Sequence, residues 1–281
     1  MAFLRERCIL VSLDTPFRRG LKHGGKIMLI AVDVGNTLTD IGFYDGDDLR
    51  FVFKTKSDPS RSYDECQASL ELFLRSRELD PKEVDGAILC SVVPSLEKIW
   101  SKLLLTVFEV RPLLVGPKLK TGLPIKTDNP KEVGADLIAD AVGAKKKYGS
   151  NVIIADLGTA TKLILLNSKG EFEGCCIGIG LSIGLDALVK RTAALPEVNL
   201  NVPKHVIGKN TSDSMNSALT YGSAAQIQGL AKMIEKEAGV PCKRILTGGY
   251  SHFIARLLPD WEYDENLLFI GLKDIFDRNR K

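Results

Sequence analysis

The chain is poor in the side chains that most often do acid–base and metal chemistry. Only three histidines occur in 281 residues, His23, His205 and His252, and none stands at a metal-ligand spacing. The six cysteines, Cys8, Cys66, Cys90, Cys175, Cys176 and Cys242, are scattered and include no C-x-x-C pair. That argues against a zinc site or a disulfide framework and suits a reducing cytoplasm. No apolar run is long enough to cross a membrane. With a net charge of +3 and no dense Lys/Arg tract, neither nucleic acid nor a membrane is an expected partner. Proton transfer, if this is an enzyme, falls to carboxylates.

What remains is an ordinary globular composition, 44% hydrophobic and 26% charged, in a chain long enough for two domains. The opening stretch, "MAFLRERCILVSLDTPFRRGLKHGGKI", differs from the rest. It is cationic, but its short apolar patch is interrupted and lacks a good cleavage site for a signal peptide. A buried strand, "MLIAVDV", begins at Met28, and Gly24-Gly25 just before it reads as a translated ribosome-binding site. Residues 1–27 are therefore expected to lie outside the native fold, with Met28 as the native start.

The strongest architectural signal is an internal repeat. "IAVDVGNTLTDIGFYDGDDLRF" from Ile30 aligns without a gap with "IIADLGTATKLILLNSKGEFEG" from Ile153. Asp33 meets Asp156, Gly35 meets Gly158, and Ile41 meets Ile164. Each copy reads as strand, tight polar turn, strand, second turn, strand, followed by helical patterns and further strands. "GAILCSVV" reads as a buried strand, and "PSLEKIWSKLLLTVF" as an amphipathic helix opened by Pro94. "CKRILTGG" reads as a strand entering a glycine turn, with a helix from Ser251. Two α/β halves with a cleft between them follow, 28–148 and 149–281, joined near "KKKYGS".

In both copies an Asp at a strand end precedes a turn rich in Gly and Thr. Such a turn gathers backbone N–H groups and hydroxyls, which suits phosphate oxygens. The neighbouring Asp repels phosphate directly but holds a cation that bridges to it. A plain tight hairpin explains one copy as well; two aligned copies favour phosphate. "LTGGYS" leaves room at Gly248 and Gly249 for a flat group such as adenine or ribose, although a strand-to-helix turn alone often needs glycine. In "NPKEVGADLIADAV", Glu132, Asp136 and Asp140 recur every fourth residue, a spacing that shares one helix face. That reads either as a solvated stripe or as a base at Asp136, where Gly134 and Ala135 admit a bulky ligand.

Together these residues resemble the acetate kinase, sugar kinase, Hsp70 and actin superfamily, and more narrowly the type III pantothenate kinases. The resemblance runs from Met28 to nearly the C-terminus through "DVGNT", "NPKEVGAD", "DLGTAT", "ALVKRTAALP", "IGKNTSDSM" and "LTGG" in that order. It implies an α/β fold of two duplicated ribonuclease H-like domains with a central cleft, and ATP-dependent phosphorylation of pantothenate to 4'-phosphopantothenate, the first step of coenzyme A biosynthesis. It assigns the ATP phosphates to Asp33, Val34, Gly35, Asn36, Thr37, Leu38, Thr39, Asp40 and Thr159. It makes Asp136 the proton acceptor and places Gly134, Ala135, Asp136, Leu137 and Thr192 at the pantothenate pocket. Asp156 would hold a monovalent cation, potassium or ammonium, and ATP would come with Mg2+. A cytoplasmic homodimer is also implied.

Four departures stand on the acceptor side. Leu137 replaces the family's arginine, Thr127 a tyrosine, "GCCIGIG" the glycines and proline of the pocket, and Lys162 a second threonine. Arginine binds carboxylate or phosphate bidentately, whereas leucine offers apolar contact alone. Either Lys162, Lys190 or Arg191 replaces the lost charge, or the chain is a divergent paralogue that binds nucleotide and has lost or changed its acceptor. Cys175-Cys176 reads as a pair of buried small residues, and "FIGLKDIFDRNRK" as a docked terminal helix.

Overall fold

The computed structural model describes residues 27–192 and 195–280. The readings made for residues 1–26 fall outside the described residues.

The chain forms the same sheet twice. Strands β1 (Met28–Val34), β2 (Leu38–Asp45) and β3 (Asp48–Lys56) make an antiparallel meander. After helix α1 (Tyr63–Ser76), strand β4 (Gly86–Ser91) pairs parallel to β1. Helix α2 (Pro94–Val107) then leads to the short β5 (Leu113–Leu114), giving the order β3-β2-β1-β4-β5. Helix α3 (Ala135–Tyr148) precedes the second copy. There β6 (Val152–Leu157), β7 (Ala160–Leu166) and β8 (Phe172–Ile179) form the meander. Helices α4 (Leu181–Arg191) and α5 (Thr211–Ala238) follow, then β9 (Lys243–Thr247) parallel to β6, α6 (Ser251–Ile254), β10 (Glu262–Tyr263) and α7 (Leu267–Asn279). The second order, β8-β7-β6-β9-β10, matches the first strand for strand.

Local chemistry explains the elements. The middle strands of each sheet, "MLIAVDV" and "VIIADL", are almost continuously apolar because both faces are covered. Helix α1 opens with a capping box in which Ser62 accepts from the Glu65 N–H and Glu65 accepts from the Ser62 N–H. Helix α2 places Pro94 in its first turn, where the missing N–H is not needed. The first core gathers Ile30, Val32, Ile41, Phe43, Leu70, Leu103 and Trp100. Each such side chain contributes about 1.5–3 kcal/mol on full burial. The second core packs Ile153, Leu157, Leu163, Ile227, Ala231, Leu246 and Ile254.

Several expectations need correction. The two meanders are not gap-free copies. Four residues, 35–38, separate the last paired positions of β1 and β2, Val34 and Thr39; three, 158–160, separate Leu157 and Thr161. The equivalent of Asp40 is therefore Lys162, and that of Ile41 is Leu163. The compact units also do not divide at 148/149. The first runs to Lys120 and adds Gly134–Asp136 and the chain from Ile275; the second comprises Thr121–Val133 and Leu137–Asp274. The cause lies in α3, whose residues from Leu137 to Ala144 are all buried. It packs backbone to backbone on α7: a Cβ on Gly143 would meet the Leu267 carbonyl oxygen at 2.2 Å, and one on Gly271 would meet that of Ala139 at 1.8 Å.

The helix expected from Ser251 lasts four residues before a 3-10 turn. The Cys175-Cys176 pair is not buried. Strand β8 is an edge strand whose side chains alternate, which leaves Cys175 exposed and Cys176 half-buried. The terminal helix α7 is docked, with Leu267, Leu272, Ile275 and Phe276 buried.

Candidate active site

Two hairpins carry the acids and turns that the sequence singles out. In the first, β1 delivers Asp33 to the end of a buried strand, and the chain turns through Gly35, Asn36 and Thr37 into β2. The Gly35 N–H donates to the Leu38 carbonyl at 3.0 Å, so this donor is spent inside the turn. A Cβ on Gly35 would also stand 3.0 Å from that oxygen, which explains the glycine. Asn36, Thr37 and Leu38 are exposed at the tip, whereas Val34 and Thr39 are buried. Thr39 Oγ1 and Ser57 Oγ share a buried hydrogen bond of 2.8 Å, and the Ser57 N–H donates to the Thr37 carbonyl at 3.0 Å. Ser57 thus braces the turn, a role the sequence alone gave no sign of.

Asp33 pairs across the strands with Asp40, and Asp40 with Lys54. Residues directly opposite in an antiparallel pair share a face, so two carboxylates and one ammonium form a row. Lys54 Nζ lies 2.5 Å from Asp40 Oδ2. Asp40 Oδ1 is buried and has no hydrogen-bond partner. A buried acceptor left open in this way calls for a cation or an ordered water. Asp33 and Asp40 therefore fit a hard divalent ion with oxygen ligands. Lys54 could have been found from the sequence only by fixing the β2–β3 register.

The second hairpin repeats the frame with different charges. Asp156 is buried near the end of β6, and Gly158 donates to the Ala160 carbonyl at 3.1 Å. The cross-strand partner of Asp156 is Lys162, and its Nζ lies 2.5 Å from Asp156 Oδ2. Thr159 stands half-buried in the turn, where the backbone of Gly180 crowds it: a Cβ there would meet the Thr159 carbonyl oxygen at 2.1 Å. Gly248, with φ +93°, lies over the acid, and a Cβ on it would meet Asp156 Oδ1 at 2.3 Å. Gly249 beside it has open space where its Cβ would be. The donor set at Asp156 does not fit a free monovalent cation. Oδ2 already holds an ammonium, and the Gly248 backbone lies close to Oδ1.

The acceptor segment meets the sequence expectation only in part. Glu132 lies in a 3-10 turn, Pro130–Glu132, ahead of α3 and accepts from the Asn129 amide at 2.6 Å. It does not share a helix face with Asp136. Asp140 is 1% exposed, so the solvated-stripe reading fails for it, because α3 is covered on all sides there. Asp136 is half-buried in the first turn of α3, where the helix dipole favours a carboxylate. Gly134 and Ala135 precede it, both half-buried, and Leu137 is 6% exposed. Thr127 Oγ1 is buried without a hydrogen-bond partner.

The far end of α3 is anchored. Tyr148 donates to Glu262 or Asp264, each at 2.9 Å, and Lys147 Nζ lies 2.7 Å from Asp264 Oδ2. Burial first, and then these carboxylates, push the Tyr148 hydroxyl well above its ordinary pKa, so it stays protonated. Thr192 is exposed just after α4 and donates to the Leu188 carbonyl at 2.8 Å. Lys190 pairs with Asp186 at 3.4 Å on the same exposed turn, and Arg191 is exposed. Among the described residues no group of three His, Cys, Asp or Glu forms a ready metal cluster. A separate groove in the second unit, lined by Tyr221, Gln228, Leu258 and Asp260, contains none of the residues the sequence singles out.

Comparison with known proteins adds to this geometry. The family model for type III pantothenate kinase matches residues 29–233. A protein named type III pantothenate kinase from Anaeromyxobacter sp. (strain K) is 38% identical over 254 residues, which is 90% of this chain and 100% of the relative. Among solved structures, one described as a Baf family transcriptional activator from Campylobacter jejuni superposes with a TM-score of 0.54 at 18% identity. That match covers 89% of this chain and 98% of the other. MreB 5 of Spiroplasma citri bound to AMPPNP superposes with a TM-score of 0.50 at 11% identity, over 89% and 96% of the two chains.

Proposed function

The chain belongs to the type III pantothenate kinase family, and we propose that it makes 4'-phosphopantothenate from pantothenate and ATP with Asp136 as the proton acceptor. The fold is a pair of duplicated ribonuclease H-like α/β domains of the actin-like ATPase superfamily. The enzyme is a phosphotransferase that acts on an alcohol. The observation that carries this reading is the family match over residues 29–233, which spans both hairpins and the acceptor segment. The relative from Anaeromyxobacter, matched along its whole length, supports pantothenate over a changed acceptor.

Phosphoryl transfer asks the protein for position and charge, and for little covalent chemistry. The primary hydroxyl of pantothenate attacks the γ-phosphorus of ATP. Its proton passes to the Asp136 carboxylate as the new O–P bond forms. The bond to the bridging oxygen breaks, and its electron pair leaves with ADP. A carboxylate within hydrogen-bond reach of the hydroxyl is enough for the proton step.

Gly134 and Ala135 admit the acceptor beside that carboxylate, and buried Leu137 seats the first turn of α3 by apolar packing. Thr192, at the end of α4, is assigned to the pantothenate pocket. Asp33 and Asp40 would hold Mg2+, which, when bound with ATP, neutralises charge on the phosphate oxygens. The turn from Val34 to Thr39 is assigned to the phosphates, as is Thr159 in the second hairpin. A requirement for potassium or ammonium at Asp156 turns on what Lys162 does there.

A cytoplasmic homodimer completes the reading. Ile177, Ile179 and Ile183 on and just after edge strand β8 are exposed, which supports a face covered in an assembly. Among the described residues no helix is long and apolar enough to cross a membrane. The test is mass spectrometry of the product from purified protein, ATP, Mg2+ and pantothenate, beside a panel of sugars and polyphosphate. Phosphopantothenate is the expected product. Transfer to another acceptor, or ATP binding without transfer, contradicts the proposal.

A further inference from the structure

We propose that the ε-ammonium of Lys162 serves as a built-in monovalent cation for the second phosphate hairpin, so that the enzyme works without bound potassium or ammonium. The inference rests on the reading of that hairpin as a clamp for the ATP phosphates.

The geometry carries it. Lys162 Nζ and Asp156 Oδ2 are 2.5 Å apart, and the two side chains are 14% and 11% exposed. Strand register sets them opposite each other, so the contact is fixed by the β6–β7 pairing and not by a wandering surface chain. The other carboxylate oxygen lies under the Gly248 backbone. A potassium ion would need several oxygen ligands, and it would have to displace a cation tethered to the same hairpin. Tethering makes the resident ammonium's occupancy intramolecular, which a free ion must outcompete by concentration.

The first hairpin shows the contrast. There the position opposite the strand-end acid is Asp40, and the row Asp33–Asp40–Lys54 sums to one negative charge. It keeps an unpartnered carboxylate oxygen for an external cation. In the second hairpin the same position is Lys162, and the pair Asp156–Lys162 sums to zero. A lysine ammonium has the single charge of an ammonium ion and N–H donors for phosphate oxygens. A single positive charge beside Asp156 is therefore already part of the chain.

The experiment measures the rate of phosphopantothenate formation by the full chain in choline, potassium and ammonium chlorides of equal ionic strength, with ATP as its Tris salt and Mg2+ throughout. Lys162→Thr is measured beside it, and thermal midpoints are recorded for both proteins in each salt. Wild-type rates are expected to agree within about twofold across the salts, because no external cation is linked to the active state. Lys162→Thr removes the ammonium that stands against the buried Asp156 carboxylate, so potassium or ammonium should raise its rate about tenfold or more and raise its midpoint over choline.

A wild-type enzyme stimulated about tenfold or more by potassium would overturn the proposal, since that stimulation measures a bound external ion. So would a Lys162→Thr protein equally active and stable in all three salts. If the variant does not fold, the wild-type comparison decides alone. If wild type makes no phosphopantothenate in any salt, the functional reading fails, and the salt dependence of the two midpoints decides between the same outcomes.

Discussion

Asp40 and Lys162 occupy the same place in the two hairpins, each directly across the strands from the acid that precedes the turn. The duplicated frame therefore carries a carboxylate on one side of the repeat and an ammonium on the other. This divides the work. On the proposed reading the first hairpin takes a divalent ion, and the second brings its own positive charge.

Asp40→Asn is expected to weaken use of MgATP while leaving the fold intact. The amide keeps the shape but loses the charge that both Lys54 and an external ion would use. We expect kcat/KM for ATP to fall about 100-fold, the lower end of the loss on removing one group that stabilises transition-state charge. Steady-state kinetics at several Mg2+ concentrations check it, and the loss should be partly offset by excess Mg2+.

Leu137→Arg, which restores the family's usual residue, should not act as a simple repair. Leu137 is 6% exposed, so a guanidinium there must be buried or force the first turn of α3 outward. We expect a loss of about 3 kcal/mol or more in stability, as for an unpaired buried charge. Urea denaturation of the purified variant measures it directly.

Gly248→Ala is expected to damage both the fold and the nucleotide site. Its φ of +93° strains any L side chain, and the added Cβ would meet Asp156 Oδ1 at 2.3 Å and the Leu157 nitrogen at 2.6 Å. The expected cost is about 1–3 kcal/mol, with weaker ATP binding in calorimetry. Gly249→Ala is the control, since its Cβ would point into open space.

Part of the acid sensitivity of the protein should trace to Glu235. Hydrogen bonds from Arg244, foremost, and from the Cys242 N–H hold its carboxyl below the ordinary value of 4.5. A depressed folded pKa contributes stability that is complete above the unfolded value and is lost as pH falls through the folded one. Melting midpoints of the wild type should therefore drop below pH 4.5, and Glu235→Gln should lack that share of the slope while being less stable at neutral pH.

Much of this was readable from the sequence. The apolar runs beginning at Met28 and Val152, the Pro94 helix start and the paired Asp–Gly turns gave both meanders, because buried strands and glycine turns leave strong local signals. The one-residue difference between the hairpins was not legible, since apolar strands align about equally well one residue out of step. Register is set by which face is buried, and here Leu163 and Ile164 are both buried. For the same reason Lys162 could be noted as a departure but not placed opposite Asp156. The burial of Asp140 was not legible, because helix spacing shows which residues share a face but not what covers that face. The bracing of Thr39 by Ser57 and the pairing of Lys54 with Asp40 are contacts across strands that no local pattern announces.

The most direct measurement is the rate of phosphopantothenate formation by Asp136→Asn, with ATP and pantothenate affinities measured calorimetrically on the same protein. Loss of a positioned proton acceptor should lower kcat by about 100- to 10,000-fold while both ligands bind within about twofold of wild type. A variant that keeps the wild-type rate would contradict the assignment of Asp136.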